Sequence, residues 1–262
     1  MSRPRVAFVI NLCAVALCFW LTAFAFCPLA ATARDFVVAI DKGHSVEEPG
    51  AISARGVGEY FFNKRIADGV QASLTTEKCG IRSFLINPQD DNLPLPQRAK
   101  LASDKKADLL ISIHHDSVRP EFLSYWQVQG AKQHYCDSYK GYSLYYSEKN
   151  AQPYESMVFA IFLSSEMLKN NFTPTLHHAD YMKGEDKGLI DAEKGIYKYN
   201  NLKVLKNATI PAVLFECGII VNREEELQLQ NRDCQQKIIN VIVSAIKRYA
   251  QFKYPENYNK IH

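Results

Sequence analysis

Three short runs in this 262-residue chain are apolar on both faces: FVVAI (36–40), DLLISI (108–113) and AVLFECG (212–218). A strand that alternates apolar and polar residues needs only one covered face, whereas these runs need cover on both. Between them lie segments with apolar residues at helical spacing. Phe62, Ile66, Val70 and Leu74 form one stripe in EYFFNKRIADGVQASLTTEK, before a stop at Gly80. IRSFLI (81–86) and YSLYYS (142–147) read as further strands. PLPQRAKLASDKKA (94–107) reads as a proline-opened helix, YESMVFAIFLSSEMLKN (154–170) as another, and NREEELQLQN and CQQKIINVIVSAIKRYA as the closing pair. Strands alternating with helices predict an α/β fold: a single domain with a mostly parallel, twisted sheet of about six strands and helices on both faces.

The first 33 residues stand apart. MSRPR is basic, an apolar run follows from Val6 to Phe26, and a small-residue site ends at Ala31-Thr32-Ala33. That order is a secretory signal peptide, so the expected organisation is 1–33 signal and 34–262 catalytic domain, exported and residing in the periplasm. An uncleaved anchor is the competing reading, since the run is long enough to span. Bulky Phe26 before Cys27 argues against a lipoprotein signal. With cleavage, no stable membrane span remains. The chain carries 31 Lys and Arg against 28 Asp and Glu, a net charge of +3, and losing Arg3 and Arg5 leaves +1. Without a basic cluster, nothing suggests nucleic acid as a partner. Four cysteines follow the signal: Cys79, Cys136, Cys217 and Cys234. Their wide spacing argues against a cysteine zinc site and leaves zero, one or two disulfides open.

In a parallel sheet, sites form beyond the carboxyl ends of the strands. DKGHS follows the first strand, HHDS the third, and Glu216 lies near the end of AVLFECG, while Glu59 opens the first helix. His44, Glu59 and one of His114 or His115 make a zinc set of two imidazoles and a carboxylate with a fourth position open. Neighbouring strand residues face opposite ways, so both histidines do not share one metal, and strand periodicity does not choose between them. Glu216 has apolar flanks. A carboxylate there is either paired with a helix cation or serves as a general base. His177 and His178, in a loop, are expected to be exposed or to face substrate. Arg98 reads as an exposed helix residue or as the partner of an acid near the site. The tyrosines of YKGYSLYYS read as strand packing or as a wall that contacts substrate.

These pieces resemble a known family. VVAIDKGHSVEEPGAISARGVGEYFFN looks like the opening of the zinc-dependent N-acetylmuramoyl-L-alanine amidases of the AmiA/AmiB/AmiC type. LPLPQRAKLASDKKADLLISIHHDS and IPAVLFECGIIVNREEE resemble that family's second and third motifs, in the same order. The resemblance implies one Zn2+ on His44, Glu59 and His114, with Glu216 as the catalytic glutamate and Arg98, Ser112 and Asn222 in mainly structural places. It implies hydrolysis of the amide between N-acetylmuramic acid and the L-alanine of the stem peptide, with peptidoglycan as substrate and a protein activator as a possible partner. Lys42, Ser45, His115 and Cys217 depart from the family's usual residues without removing a ligand. The long regulatory helix of some periplasmic members is not evident, and EFLSYWQVQGAKQHYCDSYK is expected to form a smaller flap at most. The rival readings are a non-catalytic peptidoglycan-binding protein and another zinc hydrolase, a peptidase or deacetylase.

Overall fold

The computed structural model describes residues 34–77, 80–179 and 186–255. The signal segment 1–33 and Cys79 lie outside the described residues. From Arg34 onward the chain forms one unit, built on a seven-stranded sheet of order β2-β1-β3-β9-β6-β8-β7. The strands are β1 (Phe36–Lys42), β2 (Ile81–Leu85), β3 (Leu109–Asp116), β6 (Ser143–Tyr146), β7 (Lys187–Asp191), β8 (Ile196–Tyr199) and β9 (Ala212–Ile219). Four pairings are parallel, and two, β6 with β9 and β7 with β8, are antiparallel. A separate hairpin joins β4 (Ser124–Val128) to β5 (Ala131–Tyr135).

The expected parallel core is present, and the sheet gains strands that periodicity does not reveal. KGLID and IYKY are short, and only Ile196 and Tyr197 among them are buried. Their polar outer residues hide the pattern.

The helices are α1 (Glu59–Thr76), α2 (Leu95–Asp104), α3 (Pro153–Lys169), α4 (Lys203–Lys206), α5 (Arg223–Gln230) and α6 (Arg232–Lys253). The α1 stripe buries Phe62, Ile66, Val70 and Leu74. Proline occupies the first turn of both α2 and α3, where its missing N–H would have no partner anyway. Asn222 and Asn231 cap α5 and α6, each side chain accepting two backbone N–H groups.

The two faces of the sheet are covered unequally. One carries Phe36, Val38, Ile40, Leu109, Ile111 and Ile113 against α1, α3 and α6. The other carries Val37, Ala39, Leu110, Tyr145 and Leu214 against the short helices α2 and α4. The chain runs from β1 to β2 on one side and then to β3 on the other. The order therefore reverses between β1 and β3, and the crevice beyond their carboxyl ends is where such sheets place ligands.

Candidate active site

Gly43 and His44 leave the end of β1 at that crevice. His44 has φ of +67°, the left-handed region in which a residue with a Cβ is strained. One guanidinium stabilises this turn. Arg98 Nη2 donates to His44 O at 3.0 Å, Nη1 to Lys42 O at 2.8 Å and Asp41 Oδ1 at 3.0 Å, and Nε to Leu93 O at 2.8 Å. Ser112 Oγ donates to the other oxygen of Asp41 at 2.7 Å. Arg98 is thus buried and paired with an acid beside the site, rather than exposed on its helix.

Glu59, in the first turn of α1, sits between two imidazoles. His44 Nε2 lies 3.0 Å from its Oε2 and His114 Nδ1 lies 2.9 Å from its Oε1. Burial opposes ionisation of Glu59, but the flanking imidazoles of His114 and His44 prevail and hold its carboxyl well below the usual carboxylate range. Burial likewise works against protonating His44, and the Glu59 carboxylate outweighs it, leaving His44 above its ordinary value. Ala51 N, Asn63 Nδ2 and His115 N also donate to Glu59.

Two glycines make the close approach possible. A Cβ on Gly43 would overlap the His114 ring. One on Gly50, whose φ is +76°, would overlap Glu59 and His44. One donor atom from each of His44, Glu59 and His114 lies within 4.8 Å of the others.

The histidine pair of β3 separates by strand parity. His115 continues the row of Leu109, Ile111 and Ile113 into the helix layer, where its ring lies 5.4 Å from that of Phe62. Its Nδ1 donates to Asn63 Oδ1 at 2.8 Å. It is 2% exposed, and burial pushes its pKa down to about 3, so it is neutral. His114 continues the row of Leu110 and Ser112 on the other face and reaches the crevice. Asn63 is a supporting residue that motif reading misses. Its only sequence signal is its place four residues after Glu59, on the same helix face.

Glu216 pairs in register with His114 across β3 and β9, so the two side chains emerge on one face. Among the described residues no helix cation forms an ion pair with it. Its Oε2 is sealed from solvent and has no hydrogen-bond partner among the described residues. Burial, then the charges of Asp116 and Glu59, push its carboxyl well above the usual range. Directly after it β9 bulges, spending three steps against two in β3.

The departures have structural roles. Lys42 is buried and ion-paired with Asp90. Ser45 Oγ accepts Glu48 N at 3.1 Å, and Cys217 packs in the larger core. Cys136, Cys217 and Cys234 are free thiols. Tyr142, Tyr145 and Tyr146 are buried as packing residues, whereas Tyr139 is half-buried with its ring 5.5 Å from that of His177. His177 and His178 are not exposed loop residues; they pack against Asp116. The segment between β3 and β6 is a 3-10 turn (Pro120–Phe122) and the β4–β5 hairpin, with no α-helix.

A crevice at the switch point of an α/β sheet, holding two imidazoles, a carboxylate and a half-buried second carboxylate, defines a hydrolase-type centre with a candidate cation site. The Amidase_3 family, described as N-acetylmuramoyl-L-alanine amidase, matches residues 38–248, and the chain belongs to it. A putative N-acetylmuramoyl-L-alanine amidase of Buchnera aphidicola subsp. Acyrthosiphon pisum is 30% identical over 230 residues, covering 82% of this chain and 95% of that one. The catalytic domain of the amidase CwlV from Bacillus (Paenibacillus) polymyxa var. colistinus superposes with a TM-score of 0.61 at 26% identity, over 82% of this chain and 97% of that one. The CwlD amidase of Clostridioides difficile, solved in complex with the GerS lipoprotein, has a TM-score of 0.62 over 83% of this chain and all of that one; at 19% identity it speaks to fold alone.

Proposed function

We propose that this chain hydrolyses the amide between N-acetylmuramic acid and the L-alanine of the peptidoglycan stem peptide, using zinc held by His44, Glu59 and His114. The donor set suits zinc, with two nitrogens, one carboxylate and room for a further ligand. The fit of the pocket supports it as well, since Gly43 and Gly50 leave the space that the three side chains use. Bound zinc would supply a lowered pKa for water and charge to offset a developing oxyanion. The observation that carries the reading is Glu216, a half-buried carboxylate with one oxygen sealed and unpartnered among the described residues, in register with the ligand candidate His114.

Glu216 takes a proton from the attacking water and passes it to the leaving amine of L-alanine. Arg98, Asp41 and Ser112 hold the His44 turn, while Asn63 orients Glu59. The basic and apolar start of the chain supports export, with the periplasm as the place of action. No described helix is long and apolar enough to cross a membrane. A protein activator is a further part of this reading.

Purified peptidoglycan digested with the protein and analysed by mass spectrometry tests it. Free stem peptides with intact glycan strands are expected. Cut cross-links would mean a peptidase, acetate release a deacetylase, and binding without product a wall-binding protein. Glu216→Gln should keep its zinc and lose turnover by at least 100-fold. A variant that still releases stem peptides at the wild-type rate removes Glu216 from this role.

A further inference from the structure

We infer that Asp116, His177 and His178 form a second cation site of the zinc type, separate from the His44–Glu59–His114 centre and on the same sheet edge. Asp116 is two residues beyond His114 on β3. The extra residue of the bulge lies in β9, so β3 keeps its alternation and Asp116 shares the face of His114. The two positions are about 7 Å apart along the strand.

The loop supplies both imidazoles. Adjacent histidines diverge in a strand, but His177 and His178 lie in a turn closed by Ala179 N donating to Leu176 O at 2.9 Å. Their rings come to 3.7 Å of each other and point to one place. His178 Nε2 lies 2.7 Å from Asp116 Oδ2, and His177 Nε2 lies 3.5 Å from the same oxygen. The arrangement repeats what Glu59 makes with His44 and His114: one carboxylate between two imidazoles, with the ligand atoms of all three residues within 4.8 Å. Ser117 O also lies 3.1 Å from His177 Nε2.

The supports of this cluster leave its inner atoms for a ligand. Ser117 N donates to Asp116 Oδ1 at 2.8 Å, which turns Oδ2 toward the histidines. Thr175 Oγ1, 3.0 Å from His177 Nδ1, can accept that N–H and leave the Nε2 lone pair facing inward. Outer hydrogen bonds of this kind orient metal-binding histidines and carboxylates. His177 is 6% exposed, so its ring is fixed by the residues around it. His178 packs edge-on against Tyr145 and Tyr197. Without a cation, His177 Nε2–H can donate to Ser117 O at 3.1 Å while the Thr175 hydroxyl donates to Nδ1 at 3.0 Å. Two nitrogens and a carboxylate oxygen suit Zn2+ better than Mg2+ or Ca2+.

Zinc uptake by chelator-stripped protein, measured by calorimetry and by metal analysis after dialysis, tests the site. Two equivalents are expected for the wild type. One should survive in His44→Ala/His114→Ala and be lost in His178→Gln. A folded His178→Gln protein that binds as much zinc as the wild type overturns the proposal, and so does a folded His44→Ala/His114→Ala protein that binds none. Failure of the first centre looks different, because uptake would then be unchanged in the double variant. Crystals of the zinc-loaded wild type, measured at the zinc edge, need no variant. An anomalous peak about 2.0–2.2 Å from the Nε2 atoms is expected, and direct Asp116–His178 contact with no peak between them rules the site out.

Discussion

His114 and His115 show how much one residue of register decides. Both follow the same apolar run, yet one faces the crevice and the other the helix layer. The difference is strand parity, which assigns His115 to the row of Ile111 and Ile113. His114→Ala should therefore remove one zinc equivalent, and His115→Ala should remove none while losing about 2 kcal/mol of stability, from the vacated volume and the broken bond to Asn63. Metal analysis and denaturant unfolding of the two variants check this. Loss of zinc from His115→Ala with His114→Ala unaffected would exchange their roles. Which face leads to the crevice was not legible in LLISIHH, because both faces are apolar. The same holds for Glu216. Its apolar flanks were legible from PAVLFECG, and they are buried while Glu216 itself is half-buried; that no helix cation pairs with it among the described residues depends on elements distant in sequence.

Among the elements, α5 does more than its acidic start suggests. NREEE reads as a capped helix with acids at the favourable end, and Asn222 does cap it. Two of the three acids, however, turn inward. Glu226 accepts from Ser53 Oγ at 2.6 Å and pairs with Arg55, tying α5 to the loop before α1. Glu225 accepts Ile219 N at 2.9 Å and Gly141 N at 2.9 Å, fastening α5 to the end of β9 and the approach to β6. Burial raises the Glu225 carboxyl to about 7, against the pull of those N–H groups. Its unfolded value is about 4.5, so between 4.5 and 7 folding takes up a proton. This element should therefore gain stability as pH falls through 7, approaching a limit of about 3 kcal/mol below 4.5. Glu225→Gln should lose that component. The stability difference between variant and wild type, followed by denaturant unfolding from pH 8 to pH 5, should shift in favour of the wild type on acidification; a constant difference excludes the effect. The hairpin was legible only as a possible flap. It is fastened by Trp126 Nε1 donating to Ala54 O at 2.8 Å, with the Arg55 and Arg223 guanidiniums over the indole. Those partners are far away in the chain, so no local pattern announces them.

At the scale of the whole molecule, unequal cover of the sheet leaves the site accessible. Three long helices close one face, and only α2 and α4 close the other, with the crevice opening beyond the carboxyl ends of β1, β3 and β9. Metal held at this edge would bind the folded chain and not the dispersed ligands of the unfolded one. At a thousand times Kd, free zinc should stabilise the fold by about 4 kcal/mol for each site occupied, or about 10 °C in Tm for a domain of about 200 residues. Thermal unfolding with and without chelator, and after zinc is returned, measures it; coincident midpoints would mean that the ligands are not preassembled in the fold. The alternation of doubly apolar strands with striped helices determined the α/β class, the parallel core and the edge where polar residues gather, because strand and helix periods are local properties. It also placed His44, Glu59, His114 and Glu216 at that edge. The tertiary structure alone decided which face each side chain takes, that Arg98 braces the strained His44 turn, and that a second histidine pair meets Asp116 instead of lying in solvent. Those outcomes depend on contacts between residues tens of positions apart, and spacing along the chain carries no record of them.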